Sequence, residues 1–451
     1  MNGVEDSVWT SLEPTSSLPD SKPAGRCGHV AVSSRDGKSL IVIGGYNPEG
    51  ILSDAWEFHL ERREWDRINL ATGASPPERA FFRGCGGPAL IGVDRQHHEE
   101  GGEGVFAYIF GGSDAEGNTS DELWCMDVEN RMWHAVPREQ GRRPCSRSNH
   151  SMCRAGQFLA VHGGESASGS LVDDLWFFHP ASASWREAGD DISSPAAGPR
   201  PCRRSSHCLA FAQDRCTEGS VGVPGSLVLF GGLGHADTDG DGDGGDGEEG
   251  GEELETMPLN DLWVFAPASA AGSDGLGPGI GGGEWSLVML DGVGPSPRSL
   301  AAIVSPRRPC GGGSDGADLF LFGGYGLVEI PADGGEMVDG DAKEEEEEEE
   351  EGVEVIMAYI DDLWRLNFGK GDGGSSSGSA DSANERNATL DTEWADEADM
   401  GFPGESIVEG RNGHTLTWCG DKLVLFGGFV GDGFDASVHV AEPPSSSLAL
   451  D

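Results

Sequence analysis

The sequence predicts an all-β protein in which six four-stranded antiparallel sheets stand radially about an axis, a six-bladed β-propeller closed by its N-terminal strand. Three observations predict it. Apolar strand-like runs end in a glycine pair six times, at Leu40–Gly45, Ala107–Gly112, Phe158–Gly164, Leu227–Gly232, Leu319–Gly324 and Leu423–Gly428. After each of the first five pairs come an Asp or Asn, a short gap and a Trp, in segments beginning at Asp54, Asp121, Asp173, Asn260 and Asp361, and a further tryptophan follows at Trp65, Trp133, Trp185, Trp285 and Trp394. Before each pair stands a motif opening with arginine, at Arg26, Arg79, Arg147, Arg204, Arg298 and Arg411, with a histidine three residues on at His29, His150, His207 and His414. Self-similarity of this kind is the signature of a repeat architecture.

Each repeat reads as a first strand after the arginine, a second ending in the glycine pair, a third through the Asp–Trp motif and an outer one around the last tryptophan. Such a meander is too small to bury its own faces, so it must stack on copies of itself, and a ring leaves only short strand edges. The glycine pair suits a crowded strand end that needs positive φ. The large indoles suit the wedge between blades, which widens with radius. The sixth repeat has a plausible third strand from Asp435 but no fourth, and Ser7–Leu12 carries the outer-strand pattern around Trp9. The N-terminus is therefore expected to complete the last blade. The expected layout is a single propeller over 1–443, with blades near 22–70, 76–138, 144–190, 200–291, 295–396 and 408–441 plus 7–12, and a tail at 444–451.

The spacing between glycine pairs varies from 52 to 104 residues, so the bare blade is padded by insertions. Segments 233–258 and 328–357 are acidic and glycine-rich, whereas 268–283 and 370–390 are Gly/Ser/Ala-rich, and all four are expected to be disordered because they hold too few apolar residues to offset the entropy of ordering. The two acidic insertions join second to third strands. Those loops share a face of the disc with the arginine motifs, so acidic segments are expected to flank an arginine-lined face. The preferred reading there is solvated loops that only aid solubility, and the alternative is flaps that screen the face from weak acidic ligands.

The formal charge of −48 disfavours a nucleic-acid partner, whose backbone such a field repels. Much of it is concentrated in Asp237–Glu255 and in the unbroken run Glu344–Glu351. No run approaches the length of a membrane span and the opening residues lack a basic-then-apolar leader, so membrane insertion is not expected. The ten cysteines form no C-x-x-C pair and read as reduced thiols of a cytoplasmic or nuclear protein. Asp237, Asp239, Asp241 and Glu248 match calcium-loop spacing, but in an Asp/Gly-rich tract such spacing arises by chance. A solvated acidic loop is the plainer reading, and no metal or other cofactor is expected.

The glycine pairs, spaced aromatics and arginine motifs resemble the kelch repeat, over roughly residues 8–441. The resemblance implies a protein-interaction scaffold, similar to stand-alone kelch proteins of trafficking, cytoskeleton and cell polarity. No BTB, F-box or phosphatase-like segment is recognised beside the ring, so a ubiquitin-linked role would need a separate subunit. In kelch adaptors of ubiquitin ligases, arginines at these strand starts hold acidic peptides. The resemblance thus implies a partner-binding face at Arg26, Arg79, Arg147, Arg204, Arg298 and Arg411, suited to bidentate bonds with carboxylates. The alternative for those arginines is an internal role, pairing with backbone and carboxylates, and for the four histidines that reading is preferred. Kelch-fold enzymes form the competing class, either sugar mutarotases or oxidases with the site at the channel mouth. The oxidases need tyrosine and histidine copper ligands with a cysteine joined to a tyrosine, whereas Tyr46 and Tyr325 only follow glycine pairs. No catalytic residue is assigned. The partner's identity and the oligomeric state are not encoded in these motifs.

Overall fold

The computed structural model describes residues 8–16, 18, 21–69, 76–80, 83–87, 105–138, 141–189, 199–213, 225–235, 256–267, 283–289, 293–306, 316–331, 353–369, 392–396 and 408–442. All regular structure among them is strand, and no helix is long and apolar enough to cross a membrane. Six blades stand in chain order, each a meander whose strands pair with their sequence neighbours. Blade 1 is Val30–Ser33, Ser39–Asn47, Gly50–His59 and Glu64–Arg67, and blade 2 is Arg83–Gly87, Phe106–Phe110, Leu123–Asp127 and Met132–Ala135. Blade 3 is Ser151–Ala155, Phe158–His162, Leu175–His179 and Ser184–Glu187. Blade 4 is Cys208–Gln213, Gly225–Gly234, Met257–Pro267 and Gly283–Val288, and blade 5 is Ala302–Val304, Gly316–Pro331, Val353–Gly369 and Thr392–Ala395.

Blade 6 takes three strands from the C-terminal part, Thr415–Cys419, Lys422–Phe426 and Val438–Ala441, and its fourth is Thr10–Ser11. Thr10 pairs with Val440 and Ser11 with His439. The Leu12 amide donates to the Val438 carbonyl at 2.8 Å. The closure read from the repeat pattern is thus the one observed. Trp9 is 1% exposed, and its indole meets the Phe322 ring of blade 5 edge-on, with centroids 5.2 Å apart.

Every outer-strand tryptophan packs backwards in the same way. Trp65 meets Phe426 of blade 6, Trp185 meets Phe110 of blade 2, Trp285 meets His162 of blade 3, and Trp394 meets Phe230 of blade 4. Trp133 packs into the blade 1 cluster with Ile41 and Ile43. Large flat rings lock neighbouring sheets together because each buries far more apolar surface than an aliphatic side chain and adds edge-to-face attraction. The motif histidines sit between blades as well. His29 Nε2 lies 2.9 Å from the Thr415 hydroxyl of blade 6, and His414 Nε2 is 3.1 Å from the Phe322 carbonyl of blade 5, where it donates.

The inserted segments differ in part from the expectation of disorder. In blade 5 the ladder continues past the glycine pair, with Val328 opposite Ile356 and Pro331 opposite Val353, because β-branched and aliphatic residues alternate on both sides of that hairpin. In blade 4, Leu233 and Gly234 pair with Pro258 and Met257, and Gly283 opens the outer strand. Residues 236–255, 268–282, 332–352 and 370–391 lie outside the described residues, as does the tail at 443–451.

Candidate functional site

The motif arginines occupy one repeated place where the connection entering a blade passes beneath the glycine pair. Five of the six, Arg26, Arg147, Arg204, Arg298 and Arg411, are at most 2% exposed. Arg204 shows the pattern. Its Nε donates to the Cys202 carbonyl at 3.1 Å and its Nη1 to the Gly231 carbonyl at 3.0 Å, while Nη1 and Nη2 grip the Asp261 carboxylate at 2.6 and 2.7 Å. Arg26 grips Asp54, Arg147 grips Asp174, Arg298 grips Asp362 and Arg411 grips Asp435. Each of these also donates to the first carbonyl of its own glycine pair, Gly44, Gly163, Gly323 or Gly427.

The carboxylate is itself fixed by the strand it sits on. Residues two apart on a strand share a face, so Asp54, Asp174, Asp261 and Asp362 accept from the indole Nε1 of Trp56, Trp176, Trp263 and Trp364 at 2.6–2.7 Å. In blade 6 Ser437 stands where the tryptophan would be, and its hydroxyl donates to Asp435 at 2.8 Å. The glycines complete the unit. Gly163 adopts φ 63°, and a Cβ there would come within 2.8 Å of the Arg204 carbonyl of the next connection. Arginine, glycine pair, aspartate and tryptophan therefore form one hydrogen-bonded brace in each of blades 1, 3, 4 and 5, with serine for tryptophan in blade 6, which the sequence shows as four separate motifs.

The five buried arginines take the internal role that is the alternative to an arginine-lined binding face. Arg26, Arg147, Arg204 and Arg298 already hold a carboxylate bidentately and two carbonyls, Arg411 holds its carboxylate through Nη1 alone, and all five are buried. Blade 2 departs from the rule. Arg79 is half-buried and donates to the Asn118 carbonyl at 3.0 Å, and Glu122, at the aspartate's place, accepts from Trp124 at 3.3 Å. The neighbouring Asp121 is held instead by Arg138 and Arg143. The calcium-spaced residues Asp237, Asp239, Asp241 and Glu248 lie outside the described residues. Among those described, no group of three or more His, Cys, Asp or Glu side chains is arranged to hold a metal ion.

Electrostatics follow from the braces. Burial alone would raise the Asp54, Asp174 and Asp435 carboxyls, but the bonds and charge of Arg26, Arg147 and Arg411 outweigh it and hold them below the usual aspartate value. Burial, with Arg204 and Arg147 nearby, pushes His162 down to about 3. Burial, with Arg411 nearby, pushes His439 down to about 4. Both imidazoles are neutral in the folded protein and titrate near 6.5 once unfolded. The unfolded chain therefore binds more protons below that value, so stability is whole above pH 6.5 and falls as the pH drops. The expected loss is about 2 kcal/mol per histidine by pH 5. The aspartate pairs add a further loss only below their ordinary value of 3.8. Urea midpoints of the intact chain and of His439→Gln between pH 5 and 8 check this: the substituted chain should show the shallower dependence, and equal slopes would refute it.

Beside exposed arginines such as Arg138, Arg200 and Arg203, which pair with Asp121 and Asp173, the face carries aromatic side chains. The residues that directly follow glycine pairs are Tyr46, Ser113, Glu165, Leu233, Tyr325 and Phe429. Each of the six pairs with the residue after its motif arginine, and three of them are aromatic, Tyr46 opposite Cys27, Tyr325 opposite Ser299 and Phe429 opposite Asn412. These three thus lie directly over the braces. With Phe434 and Tyr359 they form an unbroken run of rings across blades 1, 6 and 5. Centroids are 5.7 Å apart for Tyr46–Phe434, 5.1 Å for Phe434–Phe429, 5.7 Å for Phe429–Tyr359 and 4.9 Å for Tyr359–Tyr325. All five are half-buried. The sequence signal was present in the residue after each glycine pair, but without the pairing it reads only as the end of a strand.

Comparison with known proteins bears on this geometry. Residues 102–325 match the KLHDC2/KLHL20/DRC7 Kelch-repeats domain. Acyl-CoA-binding domain-containing protein 5 of Arabidopsis thaliana is 27% identical over 51% of this chain, a match that spans 31% of that protein. An F-box/kelch-repeat protein of the same plant is 24% identical over 74% of this chain and 64% of its own length. The Rab9 effector protein with kelch motifs of Mus musculus is 26% identical over 42% of this chain and 46% of its own length. The matches thus span from 31% to 64% of these relatives' own length. With six glycine-pair blades, five of them holding the arginine–aspartate brace, and this agreement across about half of its length, the chain belongs to the kelch-repeat family.

Proposed function

We propose that the protein is a non-catalytic interaction module whose partners dock on the disc face carrying Tyr46, Tyr325, Tyr359, Phe429 and Phe434. The run of five half-exposed rings carries this reading. Tyrosine and phenylalanine concentrate in the cores of protein interfaces, where a rigid ring gives much contact area at little entropic cost. The arginines act beneath it as positioning residues, since each brace fixes the strand ends from which the rings project. A kelch-repeat mouse Rab9 effector and a plant F-box/kelch protein among the relatives support a scaffold or adaptor role, in trafficking or ubiquitin-linked assemblies of the cytoplasm or nucleus.

Affinity capture from cells of the source species, with partners quantified by mass spectrometry, tests it. Tyr325→Ser with Phe429→Ser should abolish most specific partners while the melting temperature falls little, because both side chains are already half in solvent. Full retention of partners by a folded double variant would refute the assignment of the face.

A further inference from the structure

We infer that the blade 5 ribbon is a docking arm for a cationic protein segment bearing apolar side chains. This rests on the reading of the aromatic face as a binding surface and names the partner chemistry at its blade 5 end. In blade 1 the hairpin beyond the glycine pair closes at once, with Asn47 opposite Gly50. In blade 5 the same hairpin runs on, from Tyr325 opposite Tyr359, through Leu327 opposite Met357 and Glu329 opposite Val355, to Pro331 opposite Val353. The Leu327 amide still donates to the Pro297 carbonyl. From Val328 outward, among the described residues, the two strands pair only with each other. At about 3.3 Å per residue the arm stands roughly 13 Å beyond the disc.

Alternation along a strand sorts the side chains. Tyr325, Leu327, Val355, Met357 and Tyr359 share one side and extend the ring cluster outward, while Val328, Ile330 and Ile356 lie on the other. Val355 is 55% exposed and Met357 40%. An isolated two-stranded ribbon gains little stability by itself, and apolar side chains on an exposed strand pair are an invitation to association. The charge on the arm decides with what. Its only ionised side chains are Glu329 and Glu354, both exposed, and the chain linking the two strands carries Glu344–Glu351 against a single lysine, Lys343. A second copy of so acidic a protein is repelled, whereas a lysine- or arginine-bearing segment is attracted and its apolar residues find the exposed Val355–Met357 side.

Two labelled synthetic peptides of equal charge, one alternating Lys and Leu and the other Lys and Ser, test this on the full chain by fluorescence anisotropy at physiological ionic strength. The Lys/Leu peptide should bind at least about tenfold more tightly than the Lys/Ser peptide, the excess reporting burial of leucine. Val355→Ser with Met357→Ser should remove most of that excess and leave Lys/Ser binding and the melting curve unchanged. Glu329→Gln with Glu354→Gln should weaken both peptides alike and lessen their salt dependence. Equal binding of the two peptides, or an excess untouched by Val355→Ser with Met357→Ser, would overturn the arm. A dimer in sedimentation velocity that dissociates in that variant would also overturn it, placing a second copy there. If Tyr46→Ser with Phe434→Ser removes cell-derived partners while the peptide results fail, the arm is lost and the aromatic face stands. If the peptide results hold while face variants keep all partners, the face reading fails instead.

Discussion

Deletion of residues 1–15 is expected to leave no cooperatively folded propeller at 37 °C. The segment supplies the outer strand of blade 6 and the buried side chains Val8, Trp9 and Leu12, and Trp9 wedges against Phe322 of the preceding blade. Without it, blade 6 ends on an open strand and blade 5 loses the ring that seals it. Removal of a buried tryptophan alone costs about 3–5 kcal/mol. That is a large share of a native stability of roughly 5–15 kcal/mol, and the deletion also strips the Thr10–Ser11 ladder. The graded version is Trp9→Ala, whose urea midpoint should fall by that tryptophan increment, with faster hydrogen exchange in Val438–Ala441. A truncated chain that melts like the intact one would show that the ring is closed by other means.

The second large effect concerns the braces. Arg204→Ala leaves the partly exposed Asp261 carboxylate with only the Trp263 indole and the Gly231 and Cys202 carbonyls without their guanidinium donor. Breaking a buried pair from one side costs roughly 3–5 kcal/mol, far more than an exposed pair is worth. Arg147→Ala should behave alike. Arg204→Lys should recover little, because an ammonium has neither the planar fork for the carboxylate nor the reach to both carbonyls. Arg79→Ala, at a half-buried site with one carbonyl contact, should cost about 1 kcal/mol or less. Urea unfolding of the four variants checks the order, and equal effects at Arg79 and Arg204 would contradict the brace.

The number of blades and their strand order were legible in the sequence because a glycine-pair motif recurs six times, and the N-terminal closure because the sixth repeat lacks the outer strand that Ser7–Leu12 supplies. The role of the arginines was not. An arginine at a strand start looks the same whether its guanidinium turns outward to a ligand or inward to an aspartate, and the deciding partner lies between 24 and 64 residues along the chain. The bracing aspartate was also obscured by doublets such as Asp173–Asp174 and Asp361–Asp362, in which only the residue two before the tryptophan shares its face. The aromatic run escaped notice because its members come from three blades and meet only when the ring closes. The blade 5 arm was hidden by its setting, since the aliphatic alternation at Leu327–Ile330 and Val355–Met357 stands beside a long acidic tract and was absorbed into its composition.

The central claim, that the arginines are internal supports and the rings above them the contact surface, is tested most directly by replacing one whole brace with apolar residues of similar size, Arg204→Met with Asp261→Leu, and measuring partner capture alongside unfolding. Removing both charges together avoids the orphaned carboxylate, so the swap should cost less than Arg204→Ala, although the Gly231 and Cys202 carbonyls and the Trp263 indole still lose their partners. The account predicts a folded protein that keeps its partners, whereas Tyr325→Ser with Phe429→Ser loses them. A folded Arg204→Met, Asp261→Leu chain that no longer binds would contradict it and return the arginines to the binding surface.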